Sequence, residues 1–214
     1  RQTLGVIHII LDKGYRTSLR RMIEQGLQPL LEKIERPAEE VRADCLAFFR
    51  GRFVGLLVSQ GYPVDVVEAV LASQFDDLVD ARQRVEAAAG FRQRPEFEPV
   101  AVAFKRVINI LKGVDRRAQV DPARFETPQE KDLHARYEEI AGKYSALITQ
   151  GDYAGALREL AGLRPPIDAL FDHGMVMAED REVRDNRLAL LDEIARLFSQ
   201  LVDFSRLGVG DEGY

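Results

Sequence analysis

The 214 residues hold one cysteine, no tryptophan and three histidines. A single thiol, Cys45, closes no disulfide within the chain, which points to a reducing, cytoplasmic setting. Cys45 sits beside Leu46, Phe48 and Phe49 on an apolar helical stripe and is expected as a buried core thiol. A nucleophilic role would need a partnered base, and His8, His134 and His173 stand far apart with no catalytic signature around them. No apolar run approaches the roughly 18 residues that cross a bilayer. The start, Arg1 to Val6, lacks the charged-then-apolar layout of a secretory signal. It also opens without methionine inside an apolar stretch, so the chain is expected to be excised from a longer one. A Gly-rich phosphate loop, a His-Glu-x-x-His metal site and a Gly-x-Ser-x-Gly elbow are all missing, which leaves catalysis without a visible seat. The one acid and histidine cluster is Asp168, Asp172, His173, Glu179 and Asp180. Asp168 and Asp172 lie four apart on a helix that buries Leu170 and Phe171. Glu179 and Asp180 precede a long helix, where acids favour the positive dipole end. Capping and solvation explain this cluster better than a metal.

What is present is helical periodicity, with no alternating strand and hairpin pair. Leu4, Ile7, Ile10 and Leu11 repeat at three and four residues up to the break at Asp12-Lys13-Gly14, and Leu19 to Leu31 forms a second short helix. Pro37 suits a first helical turn, and Val41, Leu46, Phe49, Phe53, Leu56 and Leu57 carry a helix to Gly61. Pro63 opens the next. A helix from about Asp76 to Ala89 is expected to stop at Gly90 as a left-handed cap, leaving Phe91-Arg92-Gln93-Arg94-Pro95 as a short aromatic, basic loop. Val100, Phe104, Val107, Ile108 and Leu111 form one apolar face, which leaves Lys105, Asn109 and Lys112 as a polar row. Val114 to Glu126 reads as a charged linker. Thr127-Pro128-Gln129-Glu130 reads as a capping box, Asp152 as a cap, Pro165-Pro166 as punctuation, and Asp180 to Phe204 as one long amphipathic helix. The expected architecture is all-α, an antiparallel helical bundle of about seven helices. Residues 1–31 read as the tail of a preceding domain, 32–207 as the main domain and 208–214 as a disordered tail.

The formal net charge of −5 conceals an asymmetry. Between Arg82 and Arg117 stand nine basic residues and four acidic ones, a composition suited to a polyanion touched at one face, and equally to an ordinary solvated surface. Within that stretch, Lys105 offers a cation for phosphate. One helical turn on, Asn109 offers both a donor and an acceptor for a base edge.

Ala103-Phe104-Lys105-Arg106-Val107-Ile108-Asn109-Ile110-Leu111 resembles the Lys-Arg-Val-x-Asn-Ile-Leu helix of the anticodon-binding domain shared by arginyl-tRNA synthetases and the β subunit of the tetrameric bacterial glycyl-tRNA synthetase. Phe48 to Phe53, Gln60 to Ala72, Arg164 to Asp172 and Val176 to Leu191 are similar to the glycyl β subunit in particular. Arg1 to Leu11 looks like the end of the HD-like domain that precedes the anticodon module there. Arg50-Gly51 departs from the usual family pattern, and Gly51 inside a helix costs about 1 kcal/mol relative to Ala. The resemblance implies an α2β2 enzyme that attaches glycine to tRNA-Gly. In it, the α subunit uses ATP and Mg²⁺, and this part of β binds no cofactor, membrane or DNA and holds the anticodon. The implied tRNA-binding residues are Lys105, Arg106, Asn109, Arg52, Arg92, Arg94 and Arg82. Internal salt bridging competes for Arg106 and is favoured for Arg184, Asn186 and Arg187, and burial competes with base stacking for Phe91. The competing function is a helical scaffold for subunit assembly that never touches RNA.

Overall fold

A computed structural model describes residues 1–114, 119–173 and 176–208. Among these are ten α-helices and no strand: α1 Gln2–Lys13, α2 Leu19–Leu27, α3 Ala38–Ser59, α4 Val64–Ser73, α5 Leu78–Arg92, α6 Phe97–Ile110, α7 Pro128–Gln150, α8 Tyr153–Ala161, α9 Arg164–His173 and α10 Arg181–Ser199. Short 3-10 turns occupy Gln28–Lys33, Pro122–Arg124 and Phe204–Arg206. The all-α expectation holds.

Local chemistry sets the helix ends. Gly14 and Gly151 stop α1 and α7 in left-handed conformations, where a side chain would be strained. The capping box forms as read: the Thr127 hydroxyl accepts from the Glu130 N–H, and the Glu130 carboxylate accepts from the Thr127 N–H. Asp152 and Asp180 cap α8 and α10 through their carboxylates. Pro165 and Pro166 do not interrupt; they lie in the first turn of α9, where missing N–H groups cost nothing.

Two helix boundaries and one burial differ from expectation. Gly90 is not a cap: α5 runs past it to Arg92, and Phe91 is buried edge-on against Phe97. The aromatic anchor continues the helix, so the basic loop shrinks to the turn between Arg92 and Phe97. The last helix ends at Ser199, and the following residues fold back so that the Asp203 N–H bonds the Ala69 carbonyl. Phe204 is thereby buried beside Phe104 and Phe198. Cys45 is half-buried rather than a core thiol, because α3 packs through Phe53 and Leu57 while Phe48 stays exposed. Of the expected disordered tail, Gly208 donates its N–H to Asp65 at 3.2 Å; residues 209–214 lie outside the described residues.

The buried apolar residues form one cluster that runs from Ile7 to Leu207. α1 packs on α3 and α5, α5 on α4 and α8, α7 on α8 and α9, and α6 on α9, α10 and the turn at Phe204. The expected boundary at residue 31 falls inside the 3-10 turn Gln28–Lys33.

Candidate nucleic-acid interface

Helix α6 turns Val100, Ala103, Phe104, Val107 and its neighbours inward. Phe104 stacks on Phe198 at 4.4 Å and meets Phe204 at 5.4 Å. These rings fix the helix rotation about its axis, and the rotation decides what faces out. Asn109 and Lys112 are exposed and Lys105 is half-buried. The sequence-read row therefore exists as a surface feature.

The arginines fare differently. Arg106 leans onto α9: its guanidinium lies 4.6 Å from the Phe171 ring centre and 3.6 and 3.5 Å from the carboxylates of Asp168 and Asp172. Arg92 pairs with Asp65 at the N-terminus of α4, and Arg94 with Glu96 two residues on. Asp65 is pushed up by burial, yet the bonds from Arg92 and the Gly208 N–H outweigh this and hold it below the ordinary carboxylate range. Arg52, exposed on α3, lies over the Phe48 ring at 5.1 Å. Its helix packs on α1, α2 and α4 rather than on α6, so Arg52 belongs to a different part of the surface. Arg82 is half-buried on α5. Of the seven residues singled out by sequence, Lys105, Arg106 and Asn109 share α6, Arg92 ends α5 with Arg94 in the turn after it, and Arg52 and Arg82 stand apart.

Several charges that composition counted as surface are internal. Arg84 is 3% exposed and donates to Asp80 at 2.7 Å and to the Gln74 carbonyl at 2.8 Å. Arg50, only part-buried, pairs with Glu68. Arg187 and Glu130 form a buried pair at 2.9 Å, and Asn186 exchanges hydrogen bonds with the Asp121 backbone. The intramolecular role favoured for Asn186 and Arg187 is what the structure shows, and Arg184 likewise donates to the Ala178 carbonyl. Asp168 and Asp172 answer Arg106, and Asp180 caps α10, so the acid cluster has structural work of its own. Among the described residues no group of three or more His, Cys, Asp or Glu could hold a metal ion. Neither is any described helix long and apolar enough to cross a membrane.

Sequence reasoning missed a pocket at the junction of α5, α7 and α10, lined by Arg84, Tyr144, Asp80 and Arg196 among others. Arg84 belonged to the basic stretch already counted, but nothing in its spacing said that it points inward.

An all-helical bundle that aligns a basic and amide row on one helix defines a class, and comparison with known proteins names it. Residues 100–208, just over half of the chain, match the family model of the DALR anticodon binding domain. Residues 1–72 match that of the glycyl-tRNA synthetase beta subunit. The chain is 51% identical over 208 residues to the glycine–tRNA ligase beta subunit of Citrifermentans bemidjiense, 52% to that of Trichlorobacter lovleyi and 49% to that of Syntrophotalea carbinolica. Each alignment takes in 97% of this chain and 30% of the relative. The chain belongs to the DALR anticodon binding domain family. It spans less than a third of the length of the curated relatives it matches.

Proposed function

We propose that this chain is the tRNA-binding, anticodon-recognising module of the β subunit of a glycine–tRNA ligase, and that it supplies recognition rather than catalysis. The observation that carries the reading is the match of residues 100–208, beginning with α6, to an anticodon binding domain. The polar row of that helix, with Asn109 and Lys112 exposed and Lys105 half-buried, supports it. Lys105 and Lys112 position phosphates, and Asn109 meets a base edge with a donor and an acceptor. Unpaired anticodon bases splay onto the helical surface, the usual route by which proteins read single-stranded RNA. Arg106, Arg92 and Arg94 contribute by exchanging an internal carboxylate for a phosphate, and Arg52 and Arg82 by longer-range attraction. Glycine activation with ATP and Mg²⁺ falls to the α subunit in an α2β2 assembly in the cytoplasm.

Lys105→Ala in the complete protein is expected to weaken binding of every tRNA alike and to reduce the slope of log K against log salt by about 1. Asn109→Ala is expected to narrow the gap between tRNA-Gly and a tRNA with altered second and third anticodon bases. A wild-type protein that shows no such gap even at low salt sinks the base-reading claim.

A scaffold reading has its own observation. Ile9, Tyr15, Met22, Leu30, Leu31 and Phe48 are exposed apolar side chains on α1, α2, α3 and their connections, a surface that suits packing against other protein. If both α6 variants bind tRNA like wild type while apolar-to-serine changes at Phe48 and Leu30 break the assembly, subunit docking is the module's role.

A further inference from the structure

Arg106 crosses from α6 to α9 and rests there on three groups. Its guanidinium carbon lies 4.6 Å from the centre of the Phe171 ring, while its two terminal nitrogens stand 3.6 Å from Asp168 and 3.5 Å from Asp172. Asp168, Phe171 and Asp172 are spaced at three and four residues, so one face of α9 carries both carboxylates beside the ring. The ring itself is anchored, packed half-buried against the core. Charge-assisted N–H···O bonds close to about 2.7–2.9 Å. Both carboxylate contacts are longer, so each attracts the guanidinium without gripping it. Asp168 is also shared with Arg164 of its own helix at 3.2 Å, and Asp172 is exposed.

Arg92 makes the contrast. Its Nη1 meets Asp65 at 2.5 Å with both side chains part-buried, and Asp65 accepts a further N–H from Gly208. That pair ties α4 to the end of α5 and to the last described residue, and it is held hard. The pairs of Arg106 are long and open to solvent, where screening leaves them weak. A phosphate presents two oxygens to a guanidinium fork, and the flat cation can keep its place on Phe171 while its N–H groups turn from carboxylate to phosphate.

We propose that Asp168 and Asp172 are a charge gate on Arg106: in the free protein they occupy its guanidinium, and an RNA phosphate displaces both before Arg106 binds it. The two acids lower the affinity of the α6 surface for every polyanion and flatten its salt dependence, and they read no base. The inference rests on the RNA-binding reading and adds to it two residues that oppose binding, on a helix facing the polar row.

Asp168→Asn and Asp172→Asn keep the shape of each side chain and remove its charge. The complete protein carrying both changes, Arg106→Gln and the triple variant are compared with wild type for binding to tRNA-Gly and to a uridine oligonucleotide over a salt series. The double variant is expected to bind both RNAs about fivefold tighter, the size of exchanging weak exposed pairs. Its slope of log K against log salt is expected to steepen by about 0.7, one further phosphate contact to a single strand. In the Arg106→Gln background the same two changes are expected to gain less than about twofold, the general effect of two fewer negative charges at a screened surface. Equal gains with and without Arg106 overturn the gate and leave only bulk repulsion. Weaker binding by the double variant overturns it as well, since the acids then position Arg106 for RNA. A wild type that prefers tRNA-Gly while no variant differs from it removes the gate and keeps the RNA-binding reading. A gain that depends on Arg106 without any preference for tRNA-Gly keeps the gate and removes the anticodon reading instead, and absence of RNA binding by all four proteins removes both.

Discussion

Glu130 joins two helices through one buried carboxylate. It is 0% exposed, closes the capping box of α7 and receives Arg187 from α10 at 2.9 Å. Burial pushes its pKa up, but the bonds from Arg187 and from the Thr127 hydroxyl and N–H overcome this and hold it below the ordinary carboxylate value. A depressed folded-state pKa stabilises the native state above the unfolded value and loses that contribution as pH falls through the folded one. Stability at neutral pH is therefore expected to decline on acidification below about pH 4.3, the ordinary Glu value. Urea titrations over that range should show the decline in wild type and a shallower one in Glu130→Gln. Arg187→Leu leaves the Glu130 charge buried against only its local partners, and at neutral pH is expected to cost about 3–5 kcal/mol by the same assay. Arg106→Leu, by contrast, breaks exposed pairs and is expected to stay within about 1 kcal/mol of wild type, which lets its effect on RNA be read free of unfolding.

At the scale of the element, α3 and α6 show opposite economies. Gly51, where the sequence departs from the family pattern, lies inside α3 with nothing within 4 Å of where a Cβ would stand. No close approach of a neighbour explains it, so it is a local weak point. Gly51→Ala is expected to raise unfolding free energy by about 0.5–1 kcal/mol, seen as a higher midpoint in thermal or urea melting. Helix α6 has no such slack. Phe104 is 1% exposed and bridges α10 and the turn at Phe204. Phe104→Ala is expected to cost about 3–5 kcal/mol. Because those rings set the rotation of α6, the milder Phe104→Leu should weaken RNA binding along with Lys105 and Asn109 while the fold persists.

For the whole molecule, the first two helices are structurally continuous with the rest. Ile7 and Leu19 are buried, the Leu19 N–H bonds the Asp76 carbonyl, and Arg16 reaches Asp77 and Asp80. Deleting residues 1–33 is expected to uncover apolar surface on α3 and α5 and to lower the melting midpoint by several degrees, at about 4–8 °C per kcal/mol lost in small domains and less in larger ones. The test is a thermal melt of the shortened chain beside the full one.

The sequence by itself determined the helical class, most helix starts and stops, and the family. Caps, prolines and left-handed glycines act over three or four residues, and Thr127, Glu130, Gly14 and Gly151 do locally what their types dictate. It also determined that Lys105 and Asn109 share a row, since helical spacing alone puts them one turn apart. Only tertiary structure decided which charges remain available. Arg84, Arg92 and Arg187 look alike in a count of cations, yet one is buried beside Asp80, one answers Asp65 on another helix, and one closes a pair with Glu130 from 57 residues away. Whether a cation faces solvent depends on the rotation and neighbours of its helix, and those are fixed by packing between segments remote in sequence. Gly90 yielded its expected cap to the burial of Phe91 for the same reason, and the pocket of Arg84 and Tyr144 exists only where α5 meets α7.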